Sequence, residues 1–164
     1  MKTLIVEDSQ TLSAIYQAYL EGMGLQISAA TSLSEAITRL DVDRPELILL
    51  DIELPDGNGL DLLAEVNDWS PKPVVVVMTG HGDQYAEAAI ERGADDFLAK
   101  PFDASRLRVT VRNLAERFEL SQRLSSLTEV RASLGPMYGR STVMQAVFTQ
   151  IQSLASSRAT AFIT

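Results

Sequence analysis

Leu47-Ile48-Leu49-Leu50-Asp51-Ile52-Glu53-Leu54-Pro55-Asp56-Gly57-Asn58-Gly59 carries the strongest architectural signal in the chain. Four aliphatic residues without polar alternation describe a strand buried on both faces, and such strands belong to parallel sheets covered by helices. The run ends on a carboxylate. A turn rich in Pro and Gly follows, and Leu60, Leu63 and Val66 then recur at helical spacing.

Comparable runs flank it at Leu4 to Val6, Gln26 to Ala30, Val74 to Thr79 and Asp96 to Ala99, each read as a strand buried on both faces. Helical spacing separates them: Leu12, Ile15, Tyr16, Tyr19 and Leu20; then Leu33, Ile37 and Leu40; and, beyond the Leu60 segment, Ala86, Ala89 and Ile90. Ser32 with Glu35 predicts a capping box, Asp103 suits the N-cap of a fifth helix, and Gly22, Gly24 and Gly93 stand where helices should stop. Five alternations predict an α/β domain, a doubly wound five-stranded parallel sheet with helices on both faces. Its ligand site belongs just beyond the carboxyl ends of the strands.

The fifth helix runs on. From Ser105 the pattern passes Leu107, Val111, Leu114 and Phe118, changes phase to Leu120, Leu124 and Leu127, and meets no Gly or Pro before Gly135-Pro136. A helix of about 25 residues outruns a compact domain, so its second half is expected to be a helical linker that dimerises or joins domains. Beyond it, Val147, Ile151 and Leu154 recur at helical spacing, and Ala159 to Thr164 reads as a strand. The expected division is a domain over 1–118, a linker over 119–136 and the beginning of another domain over 137–164.

The 164 residues are 46% hydrophobic and 22% charged, enough apolar material for a core. The net charge of −8 argues against wrapping a phosphate backbone. It is unevenly spread: residues 1–103 hold 6 basic and 19 acidic side chains, and 104–164 hold 8 and 3. Arg106, Arg108, Arg112, Arg117 and Arg123 are expected to meet acidic surface in a dimer. The absence of cysteine excludes disulfides and thiolate metal sites. Val74 to Met78, the longest aliphatic run, is too short to cross a bilayer, and the N-terminus turns acidic before a secretory apolar segment develops. A cytoplasmic protein without membrane contact is expected.

Glu7 and Asp8 follow the first strand and Asp51 ends the third. With those strands adjacent, the three carboxylates converge and raise one another's pKa unless a cation intervenes. All-oxygen ligation suits Mg²⁺. Thr79 ends the fourth strand and Lys100 follows the fifth, adding a hydroxyl and an ammonium, and a cis Lys100-Pro101 bond would aim the lysine inward. The set can assemble a phosphoryl site, with Asp51 as nucleophile and Thr79 and Lys100 holding oxygens.

Ile5-Val6-Glu7-Asp8, Leu49-Leu50-Asp51-Ile-Glu-Leu-Pro55-Asp-Gly-Asn-Gly59, Met78-Thr79-Gly80 and Phe97-Leu-Ala-Lys100-Pro101 together resemble the response-regulator receiver domain. The resemblance covers residues 1 to about 118 and implies a CheY-like, flavodoxin-like (βα)5 fold with strand order 2-1-3-4-5. It implies that Asp51 is the phosphoacceptor, charged by a histidine kinase or a histidine phosphotransfer protein. Mg²⁺ would bind Glu7, Asp8, Asp51 and the backbone carbonyl of Glu53, with Lys100 as phosphate partner. Thr79 and Phe97 would be the coupled switch pair. Glu7 stands where the family more usually has aspartate, and Phe97, lacking the tyrosine hydroxyl, leaves an apolar rotamer change. The segment from Asp103, the long helix and Gly139 to Thr164 resemble the receiver end, linker and first ATPase residues of NtrC-type activators of sigma-54 RNA polymerase, in their LuxO-like, quorum-sensing branch. That implies a homodimer through α4-β5-α5, roughly residues 84–117, and through the linker. It also implies an AAA+ ATPase of which 137–164 is a fragment, with polymerase and DNA met only through domains beyond this chain.

No Walker A pattern occurs in these residues, so they do not hydrolyse ATP themselves. Gly57-Asn-Gly59 lacks the third glycine of a dinucleotide loop, and His81 reads as a solvent-exposed loop residue, the alternative being one that rims the pocket or steers a hydrolytic water. Two rival readings use the same residues: a Mg²⁺-dependent phosphohydrolase built on Asp51, and an interaction module that works without phosphorylation. The first would need a further general acid and a substrate cap, which the sequence does not present.

Overall fold

In the computed structural model, five parallel strands form one sheet: β1 (Lys2–Val6), β2 (Gln26–Ala30), β3 (Leu47–Asp51), β4 (Val74–Thr79) and β5 (Asp96–Ala99), in the order 2-1-3-4-5. The structure describes residues 1–80, 85–131, 133–134 and 137–138, and side chains of the fifth helix to residue 125. The helices are α1 (Gln10–Leu20), α2 (Leu33–Asp43), α3 (Leu62–Val66, entered through a 3₁₀ turn at Gly59–Asp61), α4 (Ala86–Glu91) and α5 (Ala104–Arg131).

The period-2 alternation of strand side chains builds two core layers. Leu4, Val6, Ile48, Leu50, Val75 and Val77 face Ala36 and Leu40 of α2, Leu62, Leu63 and Val66 of α3, and Ala89 of α4. Their sequence neighbours Ile5, Leu47, Leu49, Val74, Val76 and Met78 face Tyr16 and Leu20 of α1 and Leu107, Val111 and Leu114 of α5. β3 and β4 are buried along their whole length, as continuous apolar runs require. The outer strands correct the expectation of two-sided burial. β2 and β5 are only partly buried, because each has a neighbour on one side only.

Local signals account for most helix ends. Ser9 Oγ accepts from Leu12 N at 3.4 Å, Ser32 Oγ from Glu35 N at 3.2 Å, and an Asp103 oxygen from Arg106 N at 2.8 Å. The predicted capping box is displaced by one residue, since Glu35 reaches back to the Thr31 N–H, at 2.9 Å, instead of Ser32. Gly22, Gly24 and Gly93 all have positive φ. Ile15, Ile37 and Ile90, read as face residues, are 37%, 38% and 47% exposed, so they rim their helix contacts instead of filling the core.

The chain divides into two compact units, Met1–Phe118 and Glu119–Thr164. In the second, Leu120 and Leu124 of α5 are 58% and 66% exposed. α5 ends at Arg131, before Gly135, because Ser133–Leu134 and Met137–Tyr138 pair as an antiparallel hairpin that the sequence reading did not anticipate. The helix and strand predicted between 139 and 164 lie outside the described residues, as does His81. No helix among the described residues is long and apolar enough to cross a membrane.

Candidate functional site

β1 and β3 lie side by side in parallel, so Glu7 and Asp8, just past the end of β1, meet Asp51 at the end of β3. One carboxylate oxygen from each of the three lies within 4.8 Å of the others. Glu7 and Asp51 are buried and Asp8 is exposed, which leaves the cluster open on one side. Lys100, following β5, reaches across the sheet end: its Nζ donates to Glu7 Oε2 at 2.7 Å and to Asp51 Oδ2 at 2.7 Å. Its backbone N–H donates to the carbonyl of Thr79 at 2.7 Å, and the Lys100–Pro101 bond is cis.

Burial, more than any neighbouring charge, pushes the Glu7 carboxyl above its ordinary pKa; Lys100 opposes this, and the charge on Asp51 adds to it more weakly. At Glu7 the anticipated repulsion from Asp51 is thus secondary to desolvation. Burial also acts against the charged Lys100, but its bonds to Asp51 and Glu7 outweigh that and hold the ammonium above its usual value. The result is a lysine side chain held between two buried carboxyl groups. An all-oxygen set with one exposed carboxylate fits a small hard cation such as Mg²⁺ that keeps part of its water shell.

The loop after β3 is folded against Asp51. Glu53 N–H donates to Asp51 Oδ1 at 3.4 Å, Glu53–Leu54 pairs with Gly57–Asn58 as a two-residue hairpin, and Gly59 N–H closes it on the Ile52 carbonyl at 2.8 Å. A Cβ at Gly59 would stand 1.9 Å from the carbonyl oxygen of Asp51, so the turn requires glycine for close backbone approach. The dinucleotide-like spacing has this steric origin.

Thr79 is buried at the end of β4. Phe97, half-buried, packs in the layer of Val77 and Ala89, and Thr79 continues the alternation of Val75 and Val77 toward the same face. The structure therefore brings Glu7, Asp8, Asp51 and Lys100 together, sets Glu53 beside Asp51, and places Thr79 and Phe97 on the side of the sheet that carries α4.

Residues 3–112 match the response regulator receiver domain family. The chain belongs to that family. It is 39% identical to the regulatory protein LuxO of Vibrio cholerae over 161 residues, 98% of this chain and 35% of the relative. Among solved structures, the receiver domain of a LuxO repressor protein from Vibrio parahaemolyticus superposes with a TM-score of 0.71 at 34% identity, covering 75% of this chain and 95% of that one. NtrX from Brucella abortus gives 0.73 at 30% identity over 95% of this chain and 35% of its own. The chain thus spans about a third of the length of the curated LuxO relatives it matches.

Two features of this receiver escaped the sequence reading. Tyr16, counted only as a core residue of α1, stacks on Phe102 with ring centroids 5.1 Å apart, and Lys100 Nζ lies 5.9 Å from its ring centroid, so it walls the lysine. Burial raises its hydroxyl pKa. Tyr19 offers the same aromatic hydroxyl on that helix face, so no local signal singled Tyr16 out. Asp56, counted as a turn residue, is bound to α2 by three hydrogen bonds, and no local pattern announces a partner 22 residues away.

Proposed function

We propose that this receiver is the phosphoacceptor switch of a two-component response regulator, with Asp51 taking a phosphoryl group from a histidine kinase or a histidine phosphotransfer protein. The observation that carries the reading is the convergence of Glu7, Asp8 and Asp51 with Lys100 Nζ 2.7 Å from Asp51. Glu7, Asp8, Asp51 and the Glu53 carbonyl would hold Mg²⁺, which when bound offsets the charge on the phosphoryl oxygens. An Asp51 oxygen attacks phosphorus. Its O–P bond forms as the P–N bond of the phosphohistidine breaks, and the imidazole leaves with the electron pair and takes up a proton. Lys100, already ordered by Glu7, exchanges its Asp51 bond for a phosphoryl oxygen, and the Thr79 hydroxyl binds another. Thr79 and Phe97 then act as the switch pair. Both lie on the α4 side of the sheet, so the added charge at Asp51 biases the α4-β5-α5 face.

For the longer protein, the reading is a receiver over 1–118, a helical linker over 119–136 and the start of an AAA+ ATPase domain over 137–164. The switch would control a cytoplasmic sigma-54-dependent activator of the LuxO type, in quorum sensing, acting as a homodimer through α4-β5-α5 and the linker helix. Exposed Ile90 and Val109 on the first surface, and Leu120 and Leu124 on the second, support that use. Sigma-54 polymerase and DNA would be met by domains outside these residues.

The test is chemical. With Mg²⁺ and acetyl phosphate, the wild-type chain is expected to gain an acid-stable, base-labile phosphate, and Asp51→Asn is expected to gain none. Equal labelling of both proteins refutes the assignment. Multiple turnover of phosphate esters would favour a phosphohydrolase, and failure to bind Mg²⁺ and beryllofluoride together would favour a phosphorylation-independent module.

A further inference from the structure

The loop that bears Glu53 is anchored at two places. Its base is fixed by Gly59, whose N–H binds the Ile52 carbonyl and whose missing side chain lets it lie against Asp51. Its tip is fixed by Asp56, across the sheet end on α2. One Asp56 oxygen accepts from Leu33 N at 2.7 Å, and the other accepts from Ser34 N at 2.9 Å and Ser34 Oγ at 2.7 Å. These bonds hold the Asp56 carboxyl down at about 2, the Ser34 backbone N–H contributing most, so the clamp is charged at neutral pH. Gly57 lies beside the Leu33 side chain, with the ideal Cβ position 2.9 Å from the terminal Leu33 Cδ2.

Helix capping alone does not explain this arrangement. α2 already has its own N-cap in Ser32, and Asp56 is exposed, so water could satisfy the Leu33 and Ser34 N–H groups at little cost in its absence. What water cannot supply is position. The hairpin tip is two residues long and pairs Leu54 with Gly57 and Glu53 with Asn58, so a displacement of Asp56 passes through one pair to Glu53, beside Asp51.

We infer that Asp56 is a positioning residue of the metal-binding loop, holding the Glu53 backbone against Asp51 by clamping the loop tip to the N-terminus of α2. The inference rests on the reading of Glu7, Asp8, Asp51 and the Glu53 carbonyl as the Mg²⁺ site. It also makes the first turn of α2 a lever on that site, since anything that takes Ser34 away from Asp56 loosens the loop.

The experiment measures the Mg²⁺ dissociation constant of the metal-free 164-residue chain by amide NMR shifts, and the acetyl phosphate labelling rate as a function of Mg²⁺. Asp56→Ala is expected to weaken Mg²⁺ binding by about tenfold, the lower end of outer-shell effects because Asp56 acts through the backbone. The labelling rate at saturating Mg²⁺ should stay at the wild-type value, while the thermal unfolding midpoint falls slightly, because the bonds that lower the Asp56 pKa also stabilise the fold. Asp56→Asn, which keeps one acceptor, should recover part of the loss. Unchanged Mg²⁺ affinity in Asp56→Ala overturns the inference and leaves the site reading intact. A lowered unfolding midpoint with unchanged affinity overturns it too, by reducing Asp56 to a structural cap. Absence of Mg²⁺ binding by the wild type overturns the site reading, and the inference with it.

Discussion

Replacing Lys100 by methionine, of similar length and without charge, would leave Glu7 and Asp51 facing each other with no cation between them. Lys100 bridges the two at 2.7 Å on each side, with side-chain exposures of 1% for Glu7, 9% for Asp51 and 17% for Lys100. Removing one partner of a buried ion pair typically costs about 3–5 kcal/mol. The exposed Asp8 side admits water to this cluster, so the lower end, about 3 kcal/mol, is expected in EDTA at neutral pH. For a domain of this size that corresponds to a fall of about 10 °C in unfolding midpoint. The loss should depend on pH in a determined direction. Both effects of Lys100 on Glu7 are downward, so its removal lifts the Glu7 pKa further above 4.5. The folded variant then keeps a proton that its unfolded chain releases, and its stability rises as pH falls from neutral toward 4.5. Mg²⁺ should also narrow the deficit, because a ligand that binds only the folded state stabilises by mass action and the vacated cluster binds it more strongly. Urea unfolding followed by circular dichroism, in EDTA and in Mg²⁺ at two pH values, measures all three effects. A variant that unfolds at the wild-type midpoint in EDTA, or that gains no more from Mg²⁺ than wild type does, would refute the view of Lys100 as the internal counter-cation.

Two further outcomes follow from the same geometry. Gly59→Ala sets a Cβ against backbone atoms of Asp51 and Ile52, none of which can rotate away, so it should cost about 3 kcal/mol, the upper part of the overpacking range; a urea midpoint close to wild type would show that the turn is not sterically locked. Leu120→Asp with Leu124→Asp should weaken the proposed homodimer in sedimentation velocity while leaving the thermal midpoint of the receiver unchanged, and self-association of undiminished strength would remove the linker helix from the interface.

Much of the architecture was written locally. Leu47 to Leu50 and Val74 to Met78 could only be covered strands, because an unbroken apolar run has no face to offer water, and they became the central pair. Ser32, Asp103 and Gly93 marked helix ends through bonds or backbone angles that act within a few residues. The carboxylates were legible for the same reason, since Glu7 and Asp51 stand directly after such runs and Asp8 follows Glu7. Edge exposure was not. Gln26, Ser28 and Asp96 interrupt the apolar runs of these two strands, but that each has a single neighbour follows from the order 2-1-3-4-5, which the apolar pattern left open and the family resemblance supplied.

Backbone preference and burial periodicity, being properties of short stretches of chain, were enough to locate the five sheet strands, the helices between them and the chemistry at the strand ends. That one lysine serves two carboxylates, that Tyr16 walls it and that Asp56 grips α2 emerged from the three-dimensional arrangement. Each of these depends on distance and direction between residues far apart in sequence, set by sheet register and helix packing.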